Sequence, residues 1–288
     1  FKQKTAYEIS LGLVGSEMCI RDRPISCTQN PTMGEEWRRG WHPERIEPSN
    51  SDDGVLVVGG GPAGLECALA LGQRGYRVIL AEASAELGGR VSRESRLPGL
   101  AEWVRVRDYR VLLLERMANV SIYRENPLSA DEIFEFGAED QFDYSHVLLA
   151  NGSSWRRNGL GRIHREPIPG LEKLKVFTPD DIMDGVLVKG RVVVFDDDHF
   201  YMGGVLAEKL RRESHEVLLV TPAPDISIRT HKTLEQRKIQ KQLMDLGVEL
   251  ATQTNLTTAE RRKVELSCIC LLYTSDAADE GLGVDLGG

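Results

Sequence analysis

Residues 59–64, Gly59-Gly60-Gly61-Pro62-Ala63-Gly64, fit the spacing Gly-x-Gly-x-x-Gly. The spacing alone says little; its surroundings decide its meaning. Here Val55-Leu-Val-Val58 precedes it as a short apolar run, a helix is predicted from Pro62, and Glu82 closes the next apolar run. In such a unit Gly59 permits a tight turn, Gly61 lets the backbone approach a pyrophosphate, and Gly64 lets helix and strand pack closely. The helix N-terminus, where Pro62 and Ala63 stand, offers unpaired N–H groups and the positive end of the dipole to phosphate. Glu82 is placed to accept hydrogen bonds from ribose hydroxyls, and an acid there disfavours a 2′-phosphate, hence NADP. Gly88-Gly89-Arg90 adds a second glycine pair shortly after the acid. Together these residues point to an adenine nucleotide, ADP or FAD.

A second strand–turn–helix reads Phe195-Asp-Asp-Asp-His-Phe-Tyr-Met-Gly203-Gly204. Its glycines come too late for the phosphate spacing. Asp196, Asp197 and Asp198 put negative charge where a pyrophosphate would lie, and like charges repel at close range in a cleft. The plainer reading, a solvated acidic turn, also predicts no ordinary NAD(P)H binding. His199, His215 and His231 lack metal-ligand spacing, and no catalytic group with a clear task is apparent. Three Asn-x-Ser/Thr matches, at Asn119, Asn151 and Asn255, are read as chance.

The elements that position these residues follow from periodicity. Val55–Val58 and Val147–Ala150 read as strands buried on both faces. A helix is expected from Pro62 to about Arg74, ended by Gly75, and a strand over Arg77–Ala81 completes a βαβ unit. Ser129-Ala-Asp-Glu132 is a capping box opening a helix that stops at Gly137. Asn151-Gly152 closes the strand before it, Pro167–Gly170 is a connector, and Thr178-Pro-Asp-Asp181 caps a further helix. Arg191–Phe195, Val205–Arg212 and Glu216–Val220 form a second βαβ unit, followed by a helix over Leu234–Leu246. The fold class is α/β, with two Rossmann-like parallel-sheet domains of the FAD/NAD(P)-binding type, incomplete at both ends.

The ends themselves read as foreign to the protein. Cys270–Asp279 and Leu13–Asp22 back-translate to sequencing-adapter DNA, so residues 1–23 and 270–288 are expected to be adapter-derived. They contribute +1 and −4 to the formal charge of −8, leaving −5 for the middle. A mildly acidic chain without a basic block gives no case for nucleic acid or a membrane surface. Of five cysteines, Cys27, Cys67 and Cys268 lie outside the adapter segments; they form no disulfide framework, and a reducing cytoplasm is expected. The expected boundaries are a loop and linker over 24–52, holding Trp37 and Trp41, a nucleotide-binding domain over 53–165, and a second, degenerate one over 166–269.

Residues 27–44, Cys27-Thr-Gln-Asn-Pro-Thr-Met-Gly-Glu-Glu-Trp-Arg-Arg-Gly-Trp-His-Pro-Glu44, closely resemble the trimethylamine and dimethylamine dehydrogenases, which stand with the dienoyl-CoA reductase-like iron–sulfur flavoenzymes. The likeness continues at Leu97–Leu100, Trp103, Arg107-Asp-Tyr-Arg110, Pro167–Gly170, Met183–Gly185 and Leu206–Lys209, then fades after about Val220. The resemblance implies a longer, homodimeric parent with FMN and the amine site on an upstream barrel. It assigns Cys27 as one thiolate of a four-iron four-sulfur cluster, which needs three more. It also implies ADP or FAD in the first Rossmann site, with Gly152 beside it, and an electron-transferring flavoprotein as partner. Two residues depart from the family pattern: Asn151 stands where Thr is common, and Arg105 near where relatives carry an aromatic close to the docking surface.

The leading expectation is the C-terminal part of an enzyme that N-demethylates a small methylated amine bound outside these residues. The rivals are an NAD(P)H-dependent enoate reductase, against which Asp196–Asp198 argue, and a non-catalytic ADP-binding scaffold.

Overall fold

The computed structural model describes residues 46–51, 53–136, 144–260, 263–269 and 282–285. Cys27, Trp37, Trp41, Gly137 and most of the two segments read as adapter lie outside them. The chain divides into two compact units, meeting in sequence at Ser153/Ser154.

The first unit is a parallel sheet of β1 (Gly54–Val58), β2 (Arg77–Ala81), β3 (Val120–Tyr123) and β4 (His146–Leu149), in the order β3-β2-β1-β4. The register pairs Val58 with Ala81 on one side and with Leu149 on the other. Helix α1 (Pro62–Gln73) crosses from β1 to β2. It has Pro62 in its first turn and ends where Gly75 takes φ +94°. Leu65, Ala68 and Leu69 recur at helical spacing and bury against Val55, Val57, Val78 and Leu80. The short α2 (Arg90–Glu94) and then α3 (Arg105–Leu114) follow, and Leu114 joins the same core. Helix α4 (Ala130–Phe136) opens with the expected box: Ser129 N–H donates to Glu132 at 2.7 Å, and Glu132 N–H donates to the Ser129 hydroxyl at 3.3 Å. Asn119 donates to the carbonyls of Gly72 and Tyr76, so its amide is engaged inside the unit.

β4, expected to be buried on both faces, is an edge strand of this sheet among the described residues, and Leu149 is 68 % exposed. Its apolar run marks a strand but cannot tell a central position from an edge one. Neither α3 nor β3 was legible from periodicity.

The second unit holds a parallel sheet β5-β6-β7 (Val192–Phe195, Val217–Val220, Glu249–Ala251). Its helices are α5 (Pro179–Met183), α6 (Met202–Arg212) and α7 (Gln236–Asp245). Thr178 and Asp181 form a full capping box at α5. Arg157 grips Asp181 through Nη1 and Nη2, at 2.6 and 2.7 Å. That contact, with the Thr178 bonds, holds the Asp181 carboxyl well below the usual carboxylate range. A three-stranded antiparallel sheet, β8 (Thr254–Glu260), β9 (Lys263–Cys268) and β10 (Leu282–Asp285), was not anticipated. Val264 and Leu266 alternate inward from β9 onto Ile168, Leu218 and Val220. Cys268 is disulfide-bonded, where the sequence was read as holding no disulfide framework.

Candidate functional site

The order β3-β2-β1-β4 puts a reversal between β1 and β4: the chain runs outward to β3 and returns to the other side of β1. In open parallel sheets ligands bind beyond the carboxyl ends of the strands at such a point. Gly59 lies there, with φ +107°. A Cβ on Gly59 would stand 2.4 Å from the Ala150 carbonyl oxygen at the end of β4, and one on Gly64 would stand 1.8 Å from the Gly59 carbonyl oxygen. These two glycines are therefore demanded by packing. Gly61 differs: its backbone is extended, φ −72° and ψ −179°, and a Cβ there would meet nothing within 4 Å. Nothing in the fold requires glycine at 61, but the space before it is open at the start of α1.

Glu82 stands at the end of β2. One carboxylate oxygen accepts the Gly60 N–H at 2.6 Å; the other accepts the Ser84 N–H at 2.8 Å and hydroxyl at 2.7 Å. Burial pushes its pKa up, but the Ser84 and Gly60 hydrogen bonds outweigh this and hold the carboxyl below its usual value. It is thus a fixed anion tied to the glycine turn. Gly88 donates its N–H to the Gly60 carbonyl at 2.8 Å, and a Cβ on Gly89 would touch the Gly61 Cα at 3.2 Å. The second glycine pair therefore lies directly against the first turn. Gly60 engages both: its N–H goes to Glu82, its carbonyl to Gly88, and a Cβ would stand 2.6 Å from Leu87. The sequence reading gave Gly60 no task; only a contact between distant segments reveals one. Arg90 donates to the Ser153 carbonyl at 2.6 Å. Pro62 and Ala63 open α1, Ala63 exposed, and Gly152 sits exposed at φ +75° just beyond β4. The structure thus gathers Gly59, Gly61, Pro62, Ala63, Gly64, Glu82, Gly88 and Gly89 at one place, with Arg90 and Gly152 tied to the same unit. Cys27 lies outside the described residues.

The corresponding turn of the second unit is filled by its own chain. Asp196 is 3 % exposed, which corrects the reading of a solvated turn. One of its oxygens accepts from the N–H groups of Asp198 and His199; the other has no partner among the described residues. Burial pushes its pKa up to about 6. Gly203 is needed beside it, since a Cβ would stand 2.6 Å from the Asp196 carboxyl carbon. α6 accordingly begins at Met202, not at Val205 as expected, and Gly203-Gly204 lie inside its first turn. Asp197 accepts the N–H groups of Arg162 and Ile163, which brings the 161–163 loop onto the turn. His164 pairs with Asn255 at 2.9 Å and fastens the same loop to β8. Among the described residues no group of three His, Cys, Asp or Glu side chains is placed to hold a metal, and no helix is long and apolar enough to cross a membrane.

Residues 53–280 match the pyridine nucleotide-disulphide oxidoreductase family. Dimethylamine dehydrogenase of Hyphomicrobium sp. is 38 % identical over 266 residues, covering 88 % of this chain and 35 % of that protein. The solved histamine dehydrogenase of Rhizobium sp. 4-9 is 44 % identical, with a TM-score of 0.83 over 91 % of this chain and 39 % of that one. The 6-hydroxypseudooxynicotine amine oxidase of Pseudomonas geniculata N1 is 43 % identical, with a TM-score of 0.84 over 94 % and 39 %. The chain therefore spans little more than a third of the length of these relatives. Both the residues matched and the relatives found agree with the resemblance read from residues 27–209: the chain belongs to the pyridine nucleotide-disulphide oxidoreductase family, beside the trimethylamine/dimethylamine dehydrogenase-like flavoprotein oxidoreductases.

Proposed function

We propose that the first unit binds ADP, or the ADP half of FAD, across the turn at Gly59–Gly64. The observation that carries this reading is the contrast among the glycines. Gly59 and Gly64 are fixed by packing, whereas Gly61 is free of any packing demand and faces open space at a helix N-terminus. A phosphate there would meet unpaired N–H groups, and the Glu82 anion stands where ribose hydroxyls would reach it and a 2′-phosphate would be repelled. The second turn supports no dinucleotide, because carboxylates and the 161–163 loop occupy it.

The longer protein that carries this chain is then an amine oxidoreductase. It removes a methyl group oxidatively from a small methylated amine, with FMN and a four-iron four-sulfur centre supplying the redox chemistry and an electron-transferring flavoprotein receiving the electrons. Cys27 is one cluster thiolate in this reading, and the protein is a cytoplasmic homodimer. The residues of this chain bind and orient the nucleotide and contribute no acid or base to the amine. The test is turnover of di- and trimethylamine by that longer protein. Reduction of an electron-transferring flavoprotein or a one-electron dye is expected; turnover supported by NAD alone would sink the proposal. The scaffold reading is favoured by one observation, the lack of a recognisable catalytic group at the glycine turn, and it predicts nucleotide binding without amine turnover.

A further inference from the structure

The second glycine pair is held against the first turn from behind, and the residue that holds it is on α3. Arg107 Nη1 donates to the Glu86 carboxylate at 2.5 Å and to the Ser92 hydroxyl at 2.9 Å. Ser92, 3 % exposed, in turn donates its hydroxyl to the Leu87 carbonyl at 2.8 Å. The aliphatic stem of Arg107 lies over Gly88: a Cβ there would stand 2.7 Å from the Arg107 Cδ. Gly88 has φ +101° and gives its N–H to the Gly60 carbonyl, and Gly89 lies so near Gly61 that a Cβ on it would stand 3.2 Å from the Gly61 Cα. One guanidinium therefore grips residues on both sides of the Gly88-Gly89 step and covers the step itself.

Glu86 has a second cation, Arg96, at 2.6 Å, but the two are not equivalent. The Arg96 side chain is 65 % exposed and that of Arg107 21 %. With Glu86 47 % exposed, either ion pair alone contributes little; Arg107 differs because its stem packs over Gly88 and the same Nη1 reaches the buried Ser92, which holds its planar fork in place.

We infer that Arg107 is a positioning residue for the nucleotide site: through Glu86 and Ser92 it holds the Gly88-Gly89 wall against Gly60-Gly61, so that the cradle is formed before ligand arrives. This deepens the nucleotide reading of the first unit and rests on it. Arg107 touches no phosphate itself. Without it the 84–92 segment must be ordered by the ligand, and that ordering weakens binding.

The test is ADP titration calorimetry on the full chain, with a thermal melt of each variant. Arg107→Ala is expected to weaken ADP about tenfold with its melting temperature within about 2 °C of the unchanged chain. Glu86→Gln should weaken ADP similarly, the double variant no more than either alone, and Arg107→Lys should recover part of the affinity. A merely structural role would lower the melting temperature and leave the ADP affinity of the folded fraction unchanged. If Arg107→Ala fails to fold, Glu86→Gln decides. Unchanged affinity in the variants, with ADP binding intact in the parent chain, overturns the role of Arg107 alone. Failure of the parent chain to bind ADP overturns the nucleotide reading and this inference with it.

Discussion

Replacing Gly61 and Gly64 in turn by alanine separates what the fold needs from what the ligand needs. At Gly64 the new methyl would stand 1.8 Å from the Gly59 carbonyl oxygen, where ordinary contact begins at 3.4 Å. Helix α1 and the glycine turn must part by on the order of 1.5 Å, and overpacking of this kind costs about 1–3 kcal/mol. For a chain of this size that corresponds to a fall in melting temperature of roughly 3–10 °C. At Gly61 the methyl meets nothing within 4 Å and the backbone is one any residue adopts. Gly61→Ala should therefore melt with the unchanged chain. It stands, however, where the backbone must approach the pyrophosphate. Losing one hydrogen bond to a charged oxygen, worth about 1.5–3 kcal/mol, weakens ADP by about ten- to a hundredfold. Melts followed by ADP binding on both variants check the pair. Gly61→Ala that is stable and binds ADP as tightly as the unchanged chain would refute the placement of phosphate at this turn.

Asp196→Asn should raise stability at pH 7–8. The Asp196 carboxyl, with its pKa raised by burial to about 6, contributes stability below about pH 4 that is lost as pH rises through 6; ionising it costs the folded state about 1–3 kcal/mol. The variant should melt a few degrees higher at pH 8 and lose most of the slope of melting temperature between pH 4 and 6. Arg110→Met should destabilise the first unit by about 1.5–3 kcal/mol, measured by urea unfolding: Arg110 is 4 % exposed, and the variant loses its charge-assisted bond to the part-exposed Glu66 at 2.7 Å. Glu82→Ser should narrow the preference for ADP over its 2′-phosphorylated form by tenfold or more, read as the ratio of the two dissociation constants.

Much of the nucleotide-site geometry was legible because its determinants are local. A glycine turn between an apolar strand and a helix, with an acid one strand later, falls within 24 residues, and backbone geometry forces those residue types. The grip of Arg107 on Glu86 was not legible, since it joins a loop residue to one 21 positions on, in a helix whose apolar periodicity is weak. β8 and β9 were missed because Thr254–Cys268 reads as polar; its inward residues, Leu256, Val264 and Leu266, are few and become a face only once the strands pair. The exposure of β4 was missed for the opposite reason: Val147-Leu-Leu149 is apolar, and nothing local distinguishes an edge from a centre. At Asp196 the sequence showed charge in a nucleotide turn but not its burial, where Gly203, seven residues on, leaves room for the carboxyl.

In the proposed function the first turn takes an ADP moiety and the second takes no dinucleotide. Calorimetric titration of the full chain with ADP, and separately with NADPH, tests it most directly. One ADP per chain is expected, bound about ten- to a hundredfold more weakly in Gly61→Ala, with no heat from NADPH. No binding of ADP, or NADPH binding that survives Gly61→Ala, would contradict it.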